Sequence, residues 1–145
     1  MNNLDFITAA HEVCEQRGVR LTALREQVLR LIVRAEKPIK AYDLLDELKT
    51  SRTNAAPPTV YRALDFLVEN HLVHRLESLN AFVACGHPEH PHEGQFLICD
   101  SCDTTLELED GTLSGQVAEA ASAAGFSVSR QTVEVRGTCK ECSDD

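Results

Sequence analysis

Residues 57–85 read PPTVYRALDFLVENHLVHRLESLNAFVAC, and two periodicities follow one another inside that stretch. Pro57 and Pro58 stand at a helix start, where proline is tolerated. Val60, Leu64, Leu67 and Val68 then recur at helical spacing as far as Asn70, a residue able to take a left-handed stop. Beyond Asn70 the period changes to two. Residues 72–77 and 81–85 alternate apolar and polar side chains around Ser78-Leu79-Asn80, which predicts a β-hairpin.

Upstream, Leu4, Ile7, His11 and Cys14 fall at three-to-four spacing. Leu24, Val28, Leu31 and Ile32 do the same behind the cap Thr22, with Arg17-Gly18-Val19 separating the two helices. Pro38 ends the second helix, residues 41–48 make a short third one with Leu44, Leu45 and Leu48 as its apolar residues, and 50–56 read as a loop. Helix, short helix, loop, helix and hairpin is the order of a winged helix-turn-helix, whose second motif helix enters a major groove. An unspecialised helical bundle with a hairpin is the alternative.

Downstream of the hairpin the character changes. Residues 95–98 and 104–109 read as strands, and 112–124 as an alanine-rich helix ended by Gly125. Residues 126–136 read as a further strand whose alternation slips between Val128 and Val133, suggesting a bulge or an edge position. The expected fold class is α/β (α+β): a winged helix over 1–84, a Gly/Pro/His-rich connector over 85–94 and a small α/β domain over 95–145. Each half is short of core and needs a staple.

Charge separates the halves. The 145 residues carry 14 Lys+Arg against 23 Asp+Glu, a net charge of −9. Residues 1–84 hold 11 of each sign, leaving 3 basic against 12 acidic in 85–145. A polyanion must therefore bind the first half, where Arg17, Arg20, Arg25 and the surroundings of Arg62 can form a basic face. No run approaches the length of a membrane span. The N-terminus, MNNLDFITAAHEVCEQ, has acids where a secretion signal has a basic flank, so the expectation is a cytoplasmic protein with no membrane partner.

In a reducing compartment six cysteines point to metal or redox chemistry rather than disulfides. Cys99-Asp100-Ser101-Cys102 and Cys139-Lys140-Glu141-Cys142 each offer two thiolates at chelating spacing, and together they complete a tetrahedron of four sulfurs. Such a site suits zinc, and being closed it is structural. A thioredoxin-like dithiol is the alternative, though its reactive pair should open a helix. A second set surrounds the connector: His74, Cys85, His87, His90, His92 and Glu107. A solvated polar loop is the bland reading of it. His11 and His71 read as structural, and Cys14 as a small buried hydrophobe.

Pro57 to Leu64, then His74, Cys85, the His-rich connector, Phe96-Leu97-Ile98-Cys99-Asp100-Ser101-Cys102 and the last C-x-x-C together resemble the ferric uptake regulator family over nearly the whole chain. Arg20-Leu21-Thr22 and Ala41-Tyr42-Asp43-Leu44-Leu45 resemble family segments too. The resemblance implies a winged helix, a C-terminal dimerisation domain, a homodimer and metal-dependent repression at double-stranded operator DNA. It maps a structural zinc onto Cys99, Cys102, Cys139 and Cys142, and a regulatory zinc onto His74, Cys85, His92 and Glu107. Tyr61 and Arg62 fall in the first turn of the expected recognition helix, where side chains reach base edges, Thr59 and Arg20 stand where phosphates are met, and Tyr42 resembles a family residue that also reaches DNA. An Arg62–Asp65 pair on one helix face is the bland alternative. Two imidazoles, a thiolate and a carboxylate favour Zn(II) over Fe(II), and the chain has Glu93-Gly94-Gln95 where iron sensors carry a denser histidine motif. The zinc uptake branch is thus implied, with two zinc ions per chain. His87 and His90 leave a third site open.

Other readings are an iron- or peroxide-sensing regulator of the same family and a cytosolic zinc store. A zinc hydrolase would need an open metal position and a general base, which nothing beyond the ligands supplies, so no enzyme is expected.

Overall fold

The computed structural model describes residues 3–51, 56–88 and 94–143, and the chain divides into two compact units, Met1–Pro91 and His92–Asp145. In the first, α1 (Asn3–Arg17), α2 (Ala23–Arg34), β1 (Ile39–Lys40), α3 (Ala41–Ser51) and α4 (Pro57–Glu69) precede β2 (Val73–Leu76) and β3 (Ala81–Ala84). The helices share one core in which Val28, Leu29, Leu44, Leu48, Val60, Leu64 and Leu67 are fully buried. Each such leucine contributes about 1.5–3 kcal/mol of burial.

Local chemistry sets the helix ends. Thr22 is extended and its hydroxyl accepts from the Arg25 N–H at 3.4 Å, satisfying one of the unpaired amides at the start of α2. At the start of α4 Pro57 and Pro58 have no N–H to satisfy. Its far end differs from expectation. Asn70 has φ −95°, and the left-handed residue is His71 at φ 59°. The Leu72 N–H reaches the Leu67 carbonyl at 3.0 Å and the His71 N–H reaches that of Val68 at 3.1 Å. Leu67 and Leu72 are both fully buried, so an apolar pair fixes the stop one residue later than side-chain preference alone suggests.

The buried stripe of α1 is also corrected. Phe6, Ile7, Ala10, Val13 and Cys14 face the core, whereas Leu4 is 66% exposed. His11 is exposed as well, its Nε2 hydrogen-bonded to Oε1 of Glu26 on α2, and that bond holds the Glu26 carboxyl below its ordinary range. The third helix runs to Ser51 rather than stopping at 48. The sheet has the order β1-β3-β2 with both pairings antiparallel. Its edge, Ile39 and Lys40 opposite Phe82 and Ala81, was not expected, because two residues are too few to show alternation.

The second unit comprises β4 (Gly94–Cys99), β5 (Thr105–Glu107), α5 (Gly111–Ala123), β6 (Thr132–Gly137) and α6 (Lys140–Ser143). The central strand β4 pairs antiparallel with β5 and parallel with β6, the latter reached through the crossover helix α5. Asp110 caps α5, its carboxylate accepting from the N–H groups of Thr112 and Leu113. The long strand expected over 126–136 shrinks to Thr132–Gly137, so the slip after Val128 lies ahead of the strand and is no bulge, while the strand does take an edge position in its sheet. Among the described residues of this unit only Gly94, Gln95, Phe96, Ile98 and Cys99 are buried, all on β4. A core confined to one strand leaves most of the staple to other bonds.

Candidate metal centre and nucleic-acid interface

Two neighbouring parallel strands deliver the four cysteines of the second unit. Cys99 ends β4, and a turn with Asp103 at φ 60° folds the chain back so that the Cys99 N–H meets the Thr104 carbonyl at 2.9 Å. Beside it β6 ends at Gly137 and leads to Cys139 and, on α6, Cys142. Two bonds lock the ends together: Asp100 N–H to the Gly137 carbonyl at 2.8 Å, and Arg136 Nε to Asp100 Oδ1 at 2.7 Å.

All four sulfurs lie within 4.8 Å of one another, and those of Cys102 and Cys139 are 3.7 Å apart. A tetrahedral ion with metal–sulfur bonds of about 2.3 Å sets edges of about 3.8 Å, so the cage has the size zinc requires. Its protons point the same way. N–H groups of Cys139 and Cys102 aimed at Cys99 bring that thiol down to about 6, and a bond to the Thr104 hydroxyl lowers Cys102. Cys142 is pushed up to about 12 by its bonds to the sulfurs of Cys139, Cys102 and Cys99. The Cys142 proton is held because the other sulfurs crowd it, and a dication is what would allow four thiolates to share this space.

In the first unit the hairpin brings together two further ligand types. His74 on β2 stands opposite Val83, and Cys85, just past β3, gives its N–H to the Leu72 carbonyl at 2.9 Å. The two side chains therefore share a face of the hairpin, with ligand atoms within 4.8 Å of one another. Cys85 is buried and His74 half-buried. Glu107 closes β5 in the second unit, opposite Phe96 and half-buried. His87 is exposed, while His90 and His92 lie outside the described residues.

The residues assigned to DNA contact are all exposed. Tyr42, 71% exposed, opens α3. Thr59, Tyr61 and Arg62 occupy the first turns of α4, and Arg20 precedes α2. Arg62 Nε donates to the Pro58 carbonyl one turn back at 3.4 Å, instead of pairing with Asp65. Thr22, Leu24, Arg25, Thr59, Arg62 and Ala63 line an open groove between the starts of α2 and α4. Two arginines of the expected basic face have other work. Arg25 donates to the Arg20 carbonyl at 2.7 Å and stacks 3.8 Å above the Phe66 ring, and Arg17 binds the carbonyls of Asn70 and Pro88. Sequence reading missed both roles because a backbone carbonyl leaves no mark in the pattern of side chains.

A winged helix followed by a small sheet unit with a four-thiol cage defines the class of winged-helix metalloregulators. None of the six cysteines is in a disulfide, and no helix among the described residues is long and apolar enough to cross a membrane. The chain belongs to the ferric uptake regulator family, whose model matches residues 16–136. The zinc uptake regulation protein of Escherichia coli (strain K12) is 40% identical over 139 residues, covering 95% of this chain and 81% of its own. Among solved structures, holo XcZur is similar at 51% identity and a TM-score of 0.90, covering 97% of this chain and 99% of that one. A zinc uptake regulator complexed with zinc and DNA is similar at 38% identity and a TM-score of 0.94, covering 98% and 95%.

Proposed function

We propose that this chain is a zinc-responsive, DNA-binding transcriptional repressor of zinc uptake genes, working as a homodimer in the cytoplasm, where the DNA is. The observation that carries the reading is its likeness along nearly its whole length to a regulator complexed with zinc and DNA, in a chain whose own recognition turn leaves Tyr61 and Arg62 bare.

Each chain takes two ions. Cys99, Cys102, Cys139 and Cys142 hold the structural one, which supplies the cross-link that a core confined to β4 lacks. His74, Cys85, His92 and Glu107 hold the regulatory one. The closeness of His74 and Cys85 on one hairpin face supports that set, and the thiolate favours zinc over iron. The regulatory ion supplies a cross-link across the connector. The chain's own residues do the rest: the hairpin fixes His74 and Cys85 relative to α4, and α4 presents Tyr61 and Arg62 to base edges while Arg20 and Thr59 hold phosphates. Zinc acts as co-repressor by favouring the dimer form whose two recognition helices match successive major grooves, about 34 Å apart.

Support for the dimer comes from the second unit. Leu97, Leu106 and Val135 stand in register on one face of its sheet and are 37%, 59% and 50% exposed, and α5 has no buried residue. An exposed apolar row of this kind supports a second copy.

Anaerobic titration with Zn(II) and Fe(II), read by operator binding, tests the assignment. Zinc should promote binding at the lower free concentration. Iron doing so instead would make the chain an iron or peroxide sensor, and no sequence-specific binding with either metal would leave a zinc store.

A further inference from the structure

One side chain joins three places in the first unit that are far apart in sequence. From the last turn of α1, Arg17 donates Nη1 to the Asn70 carbonyl, 53 residues on, and Nη2 to the Pro88 carbonyl, 71 residues on, at 2.8 Å. Asn70 caps α4, so the guanidinium sits at the negative end of the helix that carries Tyr61 and Arg62 at its other end. Pro88 is buried and lies three residues past Cys85. The same stretch is tied to the same helix end a second time, since the Cys85 N–H binds the carbonyl of Leu72, the apolar anchor of the α4 stop. Gly18, at φ 70°, ends α1 directly after Arg17, and the Val19 N–H returns to the Cys14 carbonyl at 3.0 Å, which fixes where the guanidinium emerges.

We propose that Arg17 is the positioning residue through which the regulatory metal site acts on the recognition helix, holding the start of the connector and the C-terminal end of α4 in one planar fork. The proposal rests on the reading that Cys85 belongs to that site. A guanidinium can serve two separate carbonyls at once because its donors are fixed in a plane. An ammonium on a flexible stem keeps the charge at the helix end but not the linkage. With the fork in place, a change at residues 85–88 moves the end of α4. Without it, only the hairpin backbone connects them.

The test compares wild type, Arg17→Lys and Arg17→Ala, each carrying zinc in the four-cysteine cage. Operator affinity is measured with the regulatory site empty and filled, and zinc affinity is measured without DNA. Hydrogen exchange of 66–72 and 85–88 is followed before any regulatory zinc is added. The expected result is that the zinc-induced gain in operator affinity shrinks about tenfold in both variants, within the usual range of coupling between sites. Zinc affinity without DNA should stay within about threefold, and both segments should exchange faster even in the metal-free regulatory state. Variants that keep the wild-type gain while both affinities fall equally would make Arg17 a structural clip and overturn the proposal. A wild type with no zinc-induced gain would instead remove the regulatory reading on which it rests. Should Arg17→Ala lose its fold, Arg17→Lys decides.

Discussion

Single residues divide into those whose chemistry is written locally and those whose partners are remote. The four cysteines were legible because each chelating pair is spaced within one turn of chain. The cap at Thr22 was legible for the same reason. Arg17 and Arg25 were not, since a count of positive charge treats every arginine as outward-facing, and both are turned to backbone carbonyls. What remains outward is Arg20 and Arg62, and their roles separate experimentally. A guanidinium that reads a guanine contributes about 1–3 kcal/mol at one base position. Arg62→Ala should therefore flatten preference at one position, whereas Arg20→Ala should weaken all sequences alike and reduce the salt slope by about one. Binding across single-base operator variants at several salt concentrations checks both, and uniform weakening by Arg62→Ala would make that residue a phosphate contact.

At the level of elements, the long helices and the hairpin were legible because each displays several turns of its period. The elements that escaped are β1 and α6, of two and four residues. The α4 stop also moved, from Asn70 to His71, because burial of Leu67 against Leu72 outweighs the preference of asparagine for left-handed backbone. The same balance of local and tertiary terms sets the fate of the second unit. Among the described residues its core is confined to β4, and α6 is a single turn carrying Cys142, a proposed zinc ligand, so metal removal should unfold this end of the chain first. Cys99→Ser should release one zinc per chain and remove folding free energy on the order of 10 kcal/mol at most, which a small domain cannot spare. Metal analysis with thermal unfolding checks this. A variant that keeps its zinc and its melting temperature would show the cage to be misassigned.

For the whole molecule, the unequal division of charge was legible in the sequence and runs with the separation into two units, one with a net charge of −1 and one of −8. The apolar sheet face of the second unit was not, because Leu97, Leu106 and Val135 only become a patch when β4, β5 and β6 are set in register. Substituting a residue that is 59% exposed should leave a monomer unharmed, so Leu106→Glu isolates the dimer. Sedimentation should show its dissociation constant raised by about tenfold or more, a cost of about 1.4 kcal/mol. An unchanged dimer would move the interface elsewhere. The central claim, that zinc and operator DNA bind one protein with mutual reinforcement, is tested most directly by reciprocal linkage. Operator affinity is measured against free zinc, and regulatory zinc affinity with and without operator, while the four-cysteine cage stays filled. Zinc should raise DNA affinity by a factor of about 5–150, and DNA should raise zinc affinity by the same factor. Operator affinity that stays constant at every free zinc concentration would contradict the account.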